Sequence, residues 1–199
     1  DLCVSRRKKR LQGIVFSCFV ASLLLFLLFP QKKSFEIDFI DVGQGDGIYL
    51  CTGGGTSMFI DGGSTDVKQV GKYRILPFLK AKGVSEISYW FVSHTDTDHV
   101  SGLKEVLVSG YRVKYLVFAK AVEKEAKTKE LAELASSHGT KVLYMQAGDT
   151  VRSKRAAMRC LYPKASDKAD DVNDLCLVLQ FEEGDISALF GGDISTDVE

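Results

Sequence analysis

The sequence is short of the residues that would support several common readings. Only three of its 199 residues are histidine, and its five cysteines include no CxxC pair, so the spacing offers no thiol-rich metal pattern. No repeat and no Pro/Ser-rich stretch separates a second domain. Net charge is also missing, with 26 bases against 26 acids. That balance hides an asymmetry: the first thirty residues carry five bases (Arg6, Arg7, Lys8, Lys9, Arg10) and one acid, Asp1. Beyond them acids outnumber bases, which argues against a domain that grips duplex DNA through a broad basic face. Nucleic-acid chemistry would have to rest on bound metal and local lysines.

What is present begins with an almost uncharged apolar run over residues 11–29, ending at Pro30. Its length matches the roughly 20 residues that a helix needs to cross a bilayer. Five bases precede it and only Lys32 and Lys33 follow closely, so the positive-inside tendency predicts a basic cytoplasmic segment at 1–10, a transmembrane helix at 11–30 and an external domain at 34–199. A signal peptide is the competing reading, but no small-x-small cleavage pattern follows Phe29. Cys3 and Cys18 fall on the inner side and in the apolar run. Cys51, Cys160 and Cys176 lie in strand-like surroundings and read as buried thiols, with one disulfide open as an alternative.

After the apolar run, Phe35, Ile37 and Phe39 alternate with Glu36 and Asp38, the period of a half-buried strand. Residues 47–51 and 57–60 read as two further strands joined through Thr52-Gly53-Gly54-Gly55. Helical spacing predicts a helix over 71–82, with Pro77 suited to a first turn and Gly83 as its stop. The run ISYWFV at 87–92 reads as a buried strand that delivers Ser93 and His94 at its end. A helix at 99–108, a strand at 114–119, a helix at 123–137 and a strand at 141–145 follow, so strands and helices alternate. Helical periodicity then disappears, and strands are expected near 156–162, 175–181 and 186–190. The whole is one β-heavy α/β domain.

Chemistry concentrates in Ser93-His94-Thr95-Asp96-Thr97-Asp98-His99, four strong metal ligands within six positions separated by small hydroxyl residues. Two imidazoles and two carboxylates crowded on a tight loop are satisfied together by divalent metal. The alternatives are a solvated polar loop, or a helix cap from Asp98. The third histidine, His138, stands at the end of a charged helix before Gly139, where a helix C-terminal residue is the better reading, and it is left out of the site.

This block resembles the His-x-His-x-Asp-His signature of the metallo-β-lactamase fold, with Asp96 where a second histidine is usual. Asp41-Val42-Gly43-Gln44-Gly45-Asp46, Ile60-Asp61-Gly62-Gly63 and Gly192-Asp193-Ile194 narrow the likeness. Together these blocks resemble the soluble domain of ComEC-type competence DNA-uptake channel proteins, over roughly residues 35–193. The resemblance implies an α/β metallo-β-lactamase-type αββα sandwich preceded by one transmembrane helix. It implies His94 and Asp96 on one metal, Asp98 and His99 on the other, Asp98 as the catalytic carboxylate and Asp193 bridging both. Asp46 and Asp61 would orient ligands from behind, although each stands beside glycine, where turn formation is the alternative. Asn173-Asp174-Leu175-Cys176-Leu177 resembles the approach to a family strand and reads as structural. A His-His-Gly-Ser block expected after Asp193 has no counterpart before Glu199, so the domain is expected to be incomplete at its C-terminus.

The implied activity is a metal-dependent phosphodiesterase or nuclease, degrading the DNA strand that is not transported. Its partners would be single-stranded DNA, the membrane and other competence proteins. Two divalent ions are implied. The extra negative oxygen of Asp96 should tilt preference toward a hard ion such as manganese, with zinc remaining open. Two other readings stay open: a hydrolase of a small ester, lactam or phosphodiester on the same fold, and a non-catalytic domain that guides DNA.

Overall fold

In the computed structural model, residues 2–28, 34–169 and 172–194 are described. The chain divides into two compact units, Asp1–Lys32 and Lys33–Glu199. The first is built on helix α1 (Leu2–Leu28), whose segment Arg7–Phe26 is long and apolar enough to cross a membrane, with a mean hydropathy of 1.5. The helix starts well before the predicted residue 11, because nothing in Leu2–Arg10 breaks a helix and the basic residues propagate one readily. Pro30, Lys32, Lys33 and Glu199, which entered the sequence reading, lie outside the described residues.

The second unit contains β1 (Glu36–Phe39), β2 (Gly47–Cys51), β3 (Ser57–Asp61), α2 (Leu76–Ala81), β4 (Glu86–Phe91), α3 (Thr97–Val108), β5 (Arg112–Ala119), α4 (Ala126–Ser137) and β6 (Lys141–Met145). It ends with β7 (Thr150–Ser153), β8 (Ala156–Tyr162), β9 (Val178–Glu183) and β10 (Ile186–Phe190). One sheet orders its six strands β1-β2-β3-β4-β5-β6, and the other orders four as β10-β9-β8-β7. The first three strands pair antiparallel and β3 to β6 pair parallel, because the glycine hairpin returns the chain directly whereas the later connections carry α2, α3 and α4. All pairs of the second sheet are antiparallel.

Period-2 alternation divides the side chains of the first sheet between two cores. Tyr49, Cys51, Phe59, Trp90, Leu116 and Phe118 pack with Leu79, Val100, Leu103, Val106 and Leu131 of the helices. Leu50, Met58, Ile60, Phe91, Val117 and Ala119 pack instead on Met158, Cys160, Leu179 and Phe181 of the second sheet. Each fully buried side chain of this size contributes about 1.5–3 kcal/mol. The second core takes no residue from α2, α3 or α4, so the described residues form three layers, helices on sheet on sheet.

Among the described residues the outer helical layer of the expected αββα sandwich is not present, and the other differences from expectation are local. The predicted helix at 71–82 opens as a π turn, Gly71–Ile75, before α2, and Gly71 packs against the Gly102 carbonyl, where an added Cβ would come within 2.4 Å. Helix α4 begins at Ala126, three residues later than predicted, after a 3₁₀ turn at Lys120–Val122. Strand β7 was not predicted: its four residues, Thr150–Ser153, have no apolar alternation, and pairing with β8 defines it. Cys51 and Cys160 are buried as free thiols in different cores, and burial pushes the Cys160 thiol up to about 12.

Candidate metal centre

The parallel pairing of β3 and β4 brings the C-terminal ends of both strands to one sheet edge, with Ile60 opposite Phe91. Asp61 closes β3, and Val92, Ser93 and His94 leave β4 beside it. Antiparallel β2 starts at the same edge, since Gly47 lies opposite Asp61, which puts Asp46 there too. Asp61 holds φ at 57°, a left-handed conformation that aspartate tolerates better than most residues.

Two glycine turns clamp the histidine motif. A Cβ on Gly45 would fall 2.4 Å from the Asp98 carbonyl oxygen, and one on Gly63 would fall 2.4 Å from the Asp98 carbonyl carbon. The backbones can therefore close: the Asp46 N–H donates to the Asp98 carbonyl at 3.3 Å, and the Gly63 N–H to that of Asp46 at 3.2 Å. From the far end of the chain, Gly191-Gly192-Asp193 follows β10 and crosses Ser93, whose Cβ would sit 2.9 Å from a side chain on Gly192. The backbone of the Asn173–Leu177 segment reaches the same place, with the Leu177 N–H donating to the Ser93 carbonyl at 3.0 Å.

Buried Asp61 organises the two imidazoles. Its Oδ1 accepts the Ser93 N–H at 2.8 Å, and its Oδ2 accepts the Ser93 hydroxyl at 2.8 Å and faces His99 Nδ1 at 3.1 Å. With its proton given to Asp61, the Ser93 oxygen can accept from His94 Nδ1, 3.1 Å away. This network assigns hydrogen to both Nδ1 atoms and leaves both Nε2 atoms as the outward donors. The rings lie 3.9 Å apart by centroid. His99 Nε2 is 3.4 Å from Asp193 Oδ2, and donor atoms of His94, His99 and Asp193 all lie within 4.8 Å of one another. An imidazole pair with fixed tautomers facing a carboxylate is a donor set that fits a divalent cation.

The other candidates lie around this triad. Asp96 Oδ2 is 4.0 Å from His94 Nε2, and Asp98 Oδ2 is 3.9 Å from His99 Nε2. Asp46 groups with Asp61 and His99 within 4.8 Å. The structure thus draws His94, His99 and Asp193 closest, with Asp96 and Asp98 on the flanks and Asp46 and Asp61 toward the sheet. Asp96 occupies the N-cap position of α3, yet its side chain makes no capping bond; it accepts Lys127 Nζ at 2.8 Å instead. A cap explanation therefore does not account for this carboxylate, and Asp98 is not the cap either, since it sits within the first turn of the helix.

Electrostatics follow the crowding. Burial pulls the His99 imidazole down, but the hydrogen bond to Asp61 and the charges of Asp61, Asp193 and Asp98 outweigh it and push it up to about 9. Burial and the neighbouring His99 charge lower His94. Burial and the charge of Asp61 raise Asp46, whereas the Lys127 hydrogen bond lowers Asp96. Sequence reasoning missed two participants. Ser93, next to His94, gave no sign that its hydroxyl joins both rings to Asp61. Lys127 was one charge among many on an amphipathic helix.

No family model matches the chain. Among curated proteins it is similar to ComE operon protein 3 of Bacillus subtilis (strain 168), 28% identical over all of this chain and 27% of that protein. It is also similar to Recombination protein 2 of Haemophilus influenzae, 31% identical over 48% of this chain and 12% of that protein. The chain thus spans 27% or less of the curated relatives it matches. Among solved structures, the metallo-β-lactamase fold protein YhfI from Bacillus subtilis matches 75% of this chain and 55% of its own, with a TM-score of 0.52 at 14% identity. A metallo-β-lactamase from Cronobacter sakazakii matches 77% and 60%, with a TM-score of 0.53 at 13% identity. Zn(2+)-bound PqqB from Methylobacterium extorquens matches 78% and 56%, with a TM-score of 0.52 at 13% identity. The chain has the metallo-β-lactamase fold and is similar along its whole length to ComE operon protein 3, the ComEC-type resemblance that its motifs carry.

Proposed function

We propose that this chain is the metal-dependent hydrolase part of a membrane-associated DNA-uptake protein and acts as a nuclease on single-stranded DNA. The observation that carries this reading is the grouping of His94, His99 and Asp193, with donor atoms within 4.8 Å of one another, in a chain similar throughout to ComE operon protein 3. Residues 1–10 form a basic cytoplasmic segment, 11–30 cross the membrane and 34–199 make up the hydrolase domain on the external face. Helix α1, long and apolar enough to cross a membrane, supports that division.

His94 and Asp96 would hold one ion and Asp98 and His99 a second, with Asp193 shared between them. Asp61 holds His99 and Ser93 in place, and Asp46 lies behind. Divalent ions supply charge stabilisation for a phosphoryl group and activation of water near neutral pH. The remaining work belongs to the chain: Ser93 and Asp61 fix the tautomers, and the glycine clamps on Asp98 fix the loop. With three or more carboxylates among the ligands, manganese is favoured over zinc.

The test is cleavage of a labelled single strand by the detergent-purified protein with manganese, against Asp98→Ala. Cleavage should fall by at least about 100-fold in the variant. DNA left intact by the wild type while a small ester is hydrolysed would overturn the nuclease reading in favour of another hydrolase on this fold. Strand binding without any hydrolysis would favour a guiding domain.

A further inference from the structure

A cavity of about 230 Å³ opens between α3 and α4, next to Asp96. Thr95, Thr97 and Lys104 line one side, and Lys127 and Glu130 line the other. Because acids outnumber bases beyond residue 30, a phosphate-bearing strand finds little general attraction and needs local cations. Two lysines on facing helices supply them beside the metal centre. We propose that this cavity is a subsite for a backbone phosphate of the nucleic-acid substrate, held by Lys104 and Lys127 next to the phosphate at the metal centre. The proposal rests on the phosphodiesterase reading above.

Position supports it first. Lys127 Nζ donates to Asp96 Oδ1 at 2.8 Å, while the other oxygen of that carboxylate, Oδ2, stands 4.0 Å from His94 Nε2. The ammonium is therefore one carboxylate away from a nitrogen of the metal centre. Availability supports it second. Lys104 is held by Glu130 at 3.3 Å, in a pair whose side chains are 42% and 74% exposed, and exposed pairs of this kind are exchanged at little cost. Lys127 is 69% exposed, and Asp96 would share its charge with a cation once one is bound, leaving the ammonium free to turn to an incoming anion. The hydroxyl-bearing Thr95 and Thr97 add donors to the lining. Ser101 also lines the cavity, but its hydroxyl is already engaged with the backbone of Ser64. The floor is apolar, from Val100 and Leu131, so the site reads charge and hydroxyl geometry rather than base identity.

The test measures binding of a short fluorescein-labelled oligothymidylate by anisotropy across a salt series. It uses the full chain in detergent with manganese, in the Asp98→Ala background so that the strand survives. Lys104→Gln and Lys127→Gln should each weaken binding about fivefold at low salt and reduce the slope of log affinity against log salt by about 0.7. Lys104→Arg and Lys127→Arg should restore both values, which separates charge from folding. Lys141→Gln, at a lysine outside the cavity, should leave the slope unchanged. If both glutamine variants keep the parent slope while the wild type cleaves the strand, the subsite is wrong and the nuclease reading stands. If inorganic phosphate displaces the strand only through the metal centre, with equal potency in every variant, the subsite is likewise wrong. Should the wild type neither bind nor cleave the strand, both readings fall.

Discussion

Asp61→Asn separates the ligand-orienting role of this carboxylate from its role in the fold. Asparagine keeps the size and tolerates the left-handed φ of 57°, so the turn after β3 survives. Its orientation is forced by the Ser93 N–H, 2.8 Å from Oδ1, because only the amide oxygen can accept that bond. The NH₂ group then faces Ser93 Oγ and His99 Nδ1 where Oδ2 stood. A donor in that place binds a bare Nδ1 and moves the imidazole hydrogen to Nε2, the atom that faces Asp193. Weakening charge-assisted bonds while keeping a neutral one costs about 1–2 kcal/mol, or roughly 2–8 °C in Tm for a domain of this size. Metal affinity should suffer far more, by about 10–100-fold, the usual cost of losing the partner that orients a ligating imidazole. Manganese titration by calorimetry and thermal melts with and without metal give both numbers. Manganese affinity within twofold of wild type in a folded variant would refute the tautomer argument.

Two further outcomes test the packing and electrostatics. In metal-free protein the folded pKa of His99, about 9, lies above its ordinary 6.5, so its stabilising contribution is complete below pH 6.5 and disappears as pH rises through 9. This is on the order of 3 kcal/mol, visible as a falling Tm over that window and reduced in Asp61→Asn, where only the charges of Asp193 and Asp98 remain to raise the imidazole; a flat or rising Tm in the wild type contradicts it. The same protonation means that metal binding at pH 7 should release about one proton, measurable by calorimetry in buffers of different ionisation enthalpy. Gly102→Ala sets helix propensity, worth about 1 kcal/mol in favour of alanine, against contact. The new Cβ would stand 2.3 Å from the Gly62 carbonyl oxygen, so contact wins, and a loss of about 2–3 kcal/mol with a lower Tm is expected. A raised Tm would show that the α3 contact is looser than described.

Much of this protein was legible along the chain, wherever one short stretch carries the information. The apolar run before Ser93 and the spacing of Val100, Leu103, Val106 and Leu107 set β4 and the buried face of α3, because side-chain direction follows directly from backbone period; the alternation in Phe35–Phe39 found strand β1, but Phe39, expected on its buried face, is 76% exposed. The crowding of His94, Asp96, Asp98 and His99 marked a metal-type cluster for the same local reason. Strand β7 was not legible, since pairing with β8 imposes it from outside, and neither was the π turn before α2. The centre itself was decided by tertiary structure. Asp61 meets His99 across 38 positions, and Lys127 meets Asp96 across 31, through sheet register and helix packing that no local pattern encodes. The sequence named the ligand-type residues, and the parallel β3–β4 edge chose which atoms of them face one another, because distance between side chains is a property of the packed layers and not of the order of the chain.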